Sequence, residues 1–241
     1  MMTRKLRRLR RRLLQAGSRG AGPWLAGILN ASGGFHERRG AYALAEKHYR
    51  ESIRILRRAA GRPDSAKALV QSLGRLALVL RARARYDGAE RLLLGALTVA
   101  EKAFGPEGLM VAGLLNDLGV VHKRQGRFAD AEAVYRRALG MTEKSMGQDH
   151  PAVATLYHNL GKLEHARGRG ALGEPLARRS LAIHRKALGP DHPRVADDAA
   201  ALASILDGLG RHDEAATLYR WALPIFERQH ARGSLPARSP D

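Results

Sequence analysis

The stretch "LLNDLGVVHKRQGRFADAEAVYRRALGMTEKSMG", residues 114–147, carries two helical periods around one turn. Leu115, Leu118 and Val121 recur at three-residue spacing up to "RQGR"; Ala131, Tyr135, Ala138 and Leu139 then recur at three- and four-residue spacing. Apolar residues so spaced share one face of a helix. A glycine between two such runs ends the first and lets the chain turn. The spacing predicts a helix–turn–helix hairpin.

The unit is written more than once. Gly126 comes into register with Gly168 and Gly210 at 42-residue steps, with Ala84 one step earlier and Gly40 two residues off step. The counterparts are "SLGRLALVLRARARYDGAERLLLGALTVAEKAFG" (72–105), "LYHNLGKLEHARGRGALGEPLARRSLAIHRKALG" (156–189) and "DAAALASILDGLGRHDEAATLYRWALPIFERQHA" (198–231). A degenerate first copy, "ILNASGGFHERRGAYALAEKHYRESIRILRRAAG" (28–61), keeps Asn30, Gly33, Gly40, Ala45 and Tyr49. Fixed-period self-similarity is the mark of a repeat architecture. Small residues recur at two positions, Gly33/Ala77/Gly119/Gly161/Ala203 and Ala45/Ala89/Ala131/Ala215, where two helices would approach too closely for a larger side chain. Tyr49, Tyr135 and Tyr219 would fill the space beside them. Repeat 4 departs, with Gly173 in place of the alanine and Pro175 early in its second helix, so that helix is expected to start late or kink.

Between copies runs a short phrase, "LGPDHPRVA" (188–196), "MGQDHPAVA" (146–154) and "FGPEGLMVA" (104–112). The glycine ends one helix, Asp149 or Asp191 is expected to accept from free backbone N–H groups of the next, and Pro151 or Pro193 suits its first turn. His150 and His192 sit one repeat apart within these phrases, which makes them part of a joint rather than a catalytic or metal site.

This pattern resembles the tetratricopeptide repeat, and its 42-residue period with "GxDHPxVA" between units is similar to the kinesin-light-chain type. The resemblance covers about residues 28–230. It implies an all-α, right-handed α-solenoid of about five helix–turn–helix repeats, whose concave face holds peptides or partner proteins. Nothing corresponds to a motor. The expected organisation is a basic arm over residues 1–22, repeats at about 23–62, 63–105, 106–147, 148–189 and 190–230, and a disordered tail over 231–241.

In this repeat class the first helices line the inner curve, so positions equivalent to 113, 116, 120 and 123 are expected to face a ligand. They read Gln71, Gly74, Leu78 and Arg81 in repeat 2 and Gly113, Asn116, Val120 and Lys123 in repeat 3. Repeat 4 supplies Thr155, His158, Lys162 and His165, and repeat 5 Asp197, Ala200, Ser204 and Asp207. Family members often carry two asparagines here; this chain has Asn116-Asp117, His158-Asn159 and Ala200-Ala201. The candidate partner-binding residues are Arg81, Asn116, Lys123, His158, Asn159, Lys162 and His165. The middle of the expected groove is basic and its C-terminal end acidic, which suits a peptide acidic toward one end and basic toward the other. Asn116 and Asn159 could hold its backbone.

Composition excludes much else. Of 241 residues 44% are hydrophobic and none is cysteine, so thiol catalysis, disulfides and cysteine-ligated metals are ruled out. "GRGALG" (168–173) fits a dinucleotide-binding string but follows a helix instead of the strand that motif needs. His158 and His165 make a poor metal pair without a carboxylate at ligand spacing. Asp191, Asp197 and Asp198 point to different sides of a helix and are expected to be solvated. The "NAS" at Asn30 is read as incidental. No catalytic, cofactor-binding or metal residue, no cofactor and no small-molecule substrate is expected, and the compartment suggested is the cytoplasm.

Formal charge is +19, and residues 1–40 alone carry +9. Residues 4–14, "RKLRRLRRRLL", set Leu6, Leu9 and Leu13 among seven cations. Three readings stay open for this arm: a segment for nucleic acid or an anionic membrane, an Arg-rich targeting peptide, or a solvated tail. The main expectation is a non-enzymatic protein-interaction scaffold; the alternative is a nucleic-acid or membrane adaptor acting through the arm.

Overall fold

A left-handed residue closes each hairpin, and it sets the frame for everything else. In the computed structural model, which describes residues 21–58 and 63–234, Gly40, Gly126, Gly168 and Gly210 take φ between 69° and 78°, and Ala84 does the same at 55°. Ala84 is the one non-glycine among the described residues with positive φ. An L side chain there is strained by about 1 kcal/mol or more. Replacing Ala84 with glycine is therefore expected to raise stability by roughly 0.5–1 kcal/mol, after the entropy of the freer unfolded chain is subtracted; a melting temperature unchanged or lowered refutes it.

The described residues form ten helices and no strand. They are α1 (Ala21–Arg38), α2 (Tyr42–Arg58), α3 (Pro63–Ala82), α4 (Tyr86–Phe104) and α5 (Leu109–Arg124), then α6 (Phe128–Met146), α7 (Pro151–Ala166), α8 (Gly170–Leu188), α9 (Pro193–Gly208) and α10 (His212–Ser234). The second helices start at 86, 128, 170 and 212, one repeat step apart each time. Repeat 4 keeps that step: α8 begins at Gly170 and runs through Pro175, so the expected late start does not occur. α1 starts two residues inside the arm proposed from sequence, and α10 runs four residues into the proposed tail. Residues 1–20 and 235–241, with the expectations placed on them, lie outside the described residues.

Two units divide the chain, α1–α5 up to Gln125 and α6–α10 from Gly126. In the first, each helix packs on the next, and the first helices α1, α3 and α5 also touch in turn. In the second, consecutive helices again pack together and α7 meets α9. The small positions lie where the hairpins close. Ala45 and Ala89 are fully buried in the first unit, as is Ala131 in the second. A Cβ on Gly33 would come within 2.7 Å of the Tyr49 ring. Tyr49 and Tyr135 fill buried space as expected, but Tyr219 is 42% exposed, because no described helix follows α10 to cover it.

The joints work differently from the sequence expectation. His150 and His192, not the aspartates, are the N-caps: each ring Nδ1 accepts from the backbone N–H two residues on, Ala152 and Arg194, at 3.1 Å. Asp149 instead pairs with Arg179 at 3.0 Å and Lys186 at 3.3 Å, and Asp191 with Arg228 at 2.9 Å. Proline at the first helical position and glycine at the preceding C-cap complete the joint.

Candidate functional site

Because α1, α3 and α5 lie side by side, the faces they turn away from α2 and α4 form one surface. On it the first unit opens a cleft of about 1240 Å³. Asn30, Gly74 and Asn116 hold the same position in three successive repeats and all line it; so do their successors Ala31, Arg75 and Asp117. Two neighbouring positions per helix therefore face the cleft, a wider strip than the single row read from sequence. Gln71, Leu78, Arg81 and Gly113 line it too, whereas Val120 and Lys123 do not. Asn30 is fixed in the wall: its Nδ2 donates to Ser72 Oγ at 2.8 Å, and Ser72 Oγ lies 3.0 Å from Ser52 Oγ.

The electrostatics of the cleft rest on three arginines and two carboxylates. Tyr49 Oη donates to Glu37 Oε2 at 2.7 Å, and burial together with this bond pushes the phenol well above its usual range. Arg38 and Arg75 both act on Tyr49, and Arg75 and Arg81 both act on Asp117, so Arg75 stands between the other two. Among the described residues none of Arg38, Arg75 and Arg81 closes an ion pair. Several arginines elsewhere are closely matched, as Arg54 with Glu51 at 2.6 Å and Arg211 with Glu174 at 2.7 Å.

Asp117 is pushed up from 3.8 to about 6 by burial, against the pull of Arg81 and Arg75. The folded chain holds this proton more tightly than the unfolded chain, so the ionised group destabilises the fold above about pH 6, and the penalty fades as pH falls toward 3.8. Asp117→Asn is expected to stabilise the protein at pH 8 by about 1–2 kcal/mol, the full shift of about 3 kcal/mol being reduced by water in the cleft. The gain should vanish near pH 4; an equal gain at both pH values refutes the assignment.

In the second unit the expected groove residues are placed otherwise. His158 Nδ1 lies 2.7 Å from Asp198 Oδ1, and His165 Nε2 lies 3.2 Å from Ser204 Oγ, so both rings tie α7 to α9. Asn159 is half-buried and Lys162 exposed. Asp198, expected to be solvated, is 1% exposed and joined on its other oxygen by His184 Nδ1 at 2.7 Å. His184 Nε2 faces the Pro151 carbonyl at 3.0 Å, which leaves neither ring nitrogen for a metal. Among the described residues no cluster is arranged to hold a metal ion, and no helix is long and apolar enough to cross a membrane.

Models of the tetratricopeptide repeat match residues 25–66, 68–144 and 152–228. A search of curated proteins found no match. Among solved structures, BtubC (BKLC) from P. vanneervenii superposes with a TM-score of 0.76 at 23% identity, covering 99% of this chain and 93% of that one. The TPR-like repeats of a Podosopora anserina protein described as a kinesin light chain give 0.67 at 18% identity, covering 90% and 99%. The Rap conjugation gene regulator of plasmid pLS20, solved in complex with the Phr* peptide, gives 0.72 at 16% identity, covering 87% and 56%. These likenesses are of fold.

Proposed function

The chain belongs to the tetratricopeptide repeat family, and from that premise we propose that it is a non-catalytic scaffold that binds an extended acidic peptide in the cleft of its first unit. One observation carries this reading: Arg38, Arg75 and Arg81 converge on the cleft with no ion pair among the described residues. Guanidinium groups held around a concavity match carboxylates bidentately. Asn116 stands beside them at a position suited to a peptide backbone. The pLS20 Rap regulator, of the same fold, was solved holding a peptide, which supports the class of ligand.

The test is fluorescence anisotropy with labelled extended peptides that differ only in charge. Acidic members should bind, and Arg75→Glu/Arg81→Glu, compared at a temperature where both proteins are folded by circular dichroism, should weaken them tenfold or more. Binding of the acidic members should also strengthen from pH 8 to pH 5.5 as Asp117 takes up its proton. A peptide set bound equally by the wild type and the double variant overturns the cleft assignment.

A further inference from the structure

A second cleft in the first unit lies on the second helices, where α2 and α4 are held apart by α3. It measures about 660 Å³ and is lined by Arg50, Arg54, Arg57, Arg58, Arg85 and Arg91 over an aliphatic floor that includes Leu80 and Leu92. Its lining contains no carboxylate and no aromatic ring. Four of these arginines stand at i, i+4, i+7 and i+8 on α2, so they share a face and repel one another. Helix stability does not call for such a row.

Nearby carboxylates do not balance it. Glu46 is shared by Arg50 at 2.8 Å, Arg83 at 2.6 Å and Arg85 at 3.1 Å, and Glu51 is taken by Arg54 at 2.6 Å. Arg57, Arg58 and Arg91 have no ion pair among the described residues. The repeats mark part of this charge as local. A base recurs in every copy at the position of Arg58 and in three other copies at that of Arg50, but where the first copy has Arg57 the others carry Glu101, Glu143, Arg185 and Glu227, and where it has Arg54 they carry Thr98, Gly140, Ala182 and Pro224. At the position of Arg91 stand Lys47, Ala133, Pro175 and Thr217.

We propose that this arginine cleft is a binding site for a compact, multiply phosphorylated anion. Its volume falls in the range of small-ligand sites. Guanidinium forks match phosphate oxygens, and without an aromatic platform the site does not select stacked bases. The anion comes either free in solution or as the headgroup of a polyphosphorylated lipid, and the same phosphate chemistry recognises both.

Calorimetry of the full chain with inorganic tripolyphosphate at physiological salt tests this. A parallel arm uses phosphatidylcholine vesicles with and without phosphatidylinositol bisphosphate. One-to-one binding of tripolyphosphate should fall tenfold or more in Arg57→Glu/Arg91→Glu and stay within twofold in Lys102→Glu/Arg220→Glu, which makes the same charge change elsewhere. All four side chains are exposed, so both variants should melt like the wild type, and tripolyphosphate should raise the melting temperature of the second variant but not the first. Vesicle capture with the same variant pattern assigns the lipid source; its absence assigns the free ion. Equal losses in both variants, binding that survives Arg57→Glu/Arg91→Glu through residues 4–14, or no saturable binding overturns the proposal.

Discussion

Asp198→Ala is expected to destabilise the second unit by about 3–5 kcal/mol at pH 7, the usual cost of stripping one partner from a buried charge pair. The reason lies in the donor count. A carbonyl and an ionised carboxylate only accept, yet His184 presents Nε2 to the Pro151 carbonyl at 3.0 Å and Nδ1 to Asp198 Oδ2 at 2.7 Å. Both contacts call on the ring of His184, itself 2% exposed to solvent, as a donor. Burial alone would raise the Asp198 carboxyl, but the bonds from His158 and His184 outweigh it, and the net shift is downward. A depressed carboxyl stabilises the fold above its unfolded value, and that contribution is lost as pH falls through its folded value.

Removing the carboxylate strips His158 Nδ1 and His184 Nδ1 of their shared partner between α7, α8 and α9. For a chain of this size the loss corresponds to a drop of roughly 10 °C in melting temperature. Asp198→Leu/His184→Leu should recover part of it, because an apolar pair carries no desolvation cost. A single Asp198→Ala variant that melts within about 1 kcal/mol of the wild type, or a double variant worse than the single, sinks this account.

The helical hairpins were legible because their signal is covalent spacing: a turn residue every 42 positions and small residues where helices cross. What faces a ligand and what faces the next helix was less legible. Sequence reasoning correctly put Asp197 and Asp198 on different sides of α9; it did not see that the side of Asp198 was the inside. The signal was available as two histidines, 158 and 184, one on each of the preceding helices, able to meet one buried acid. His158 and His165 fell on the expected face of α7, but that face borders α9, and a small rotation separates a groove side chain from an interhelical tie. In the first unit the same four-position rule found Gly74, Arg81 and Asn116 yet passed over Arg75 and Asp117, one residue on, because the cleft is wider than one row. The caps failed for a chemical reason. Aspartate leads at N-caps, but in "DHP" the proline occupies the first turn, and the residue immediately before it is histidine.

Gly173→Leu is expected to cost about 3 kcal/mol or more, at the upper end of overpacking effects, because what it strikes is main chain. A Cβ at Gly173 would stand 2.8 Å from the Gly161 carbonyl oxygen, and a Cβ at Gly161 3.2 Å from the Gly173 carbonyl and the Ala177 nitrogen. The two glycines let α7 and α8 cross backbone to backbone, and no rotamer of a larger side chain escapes a contact made at Cβ. Gly173→Ala meets the same clash and gains only the roughly 1 kcal/mol of helix propensity that glycine forgoes, so it should fall between the wild type and leucine. Gly95 in α4 is the control: nothing lies within 4 Å of its Cβ position, and Gly95→Ala should stabilise by about 0.8 kcal/mol. Chemical denaturation of the three variants separates the cause. If propensity governed Gly173, alanine there would stabilise as it does at Gly95; if close approach governs it, the sign reverses between the two sites and leucine deepens the loss. A Gly173→Leu protein with an unchanged midpoint would mean that the helices can part at no cost, and the reading of the small-residue positions as contact points would fail with it.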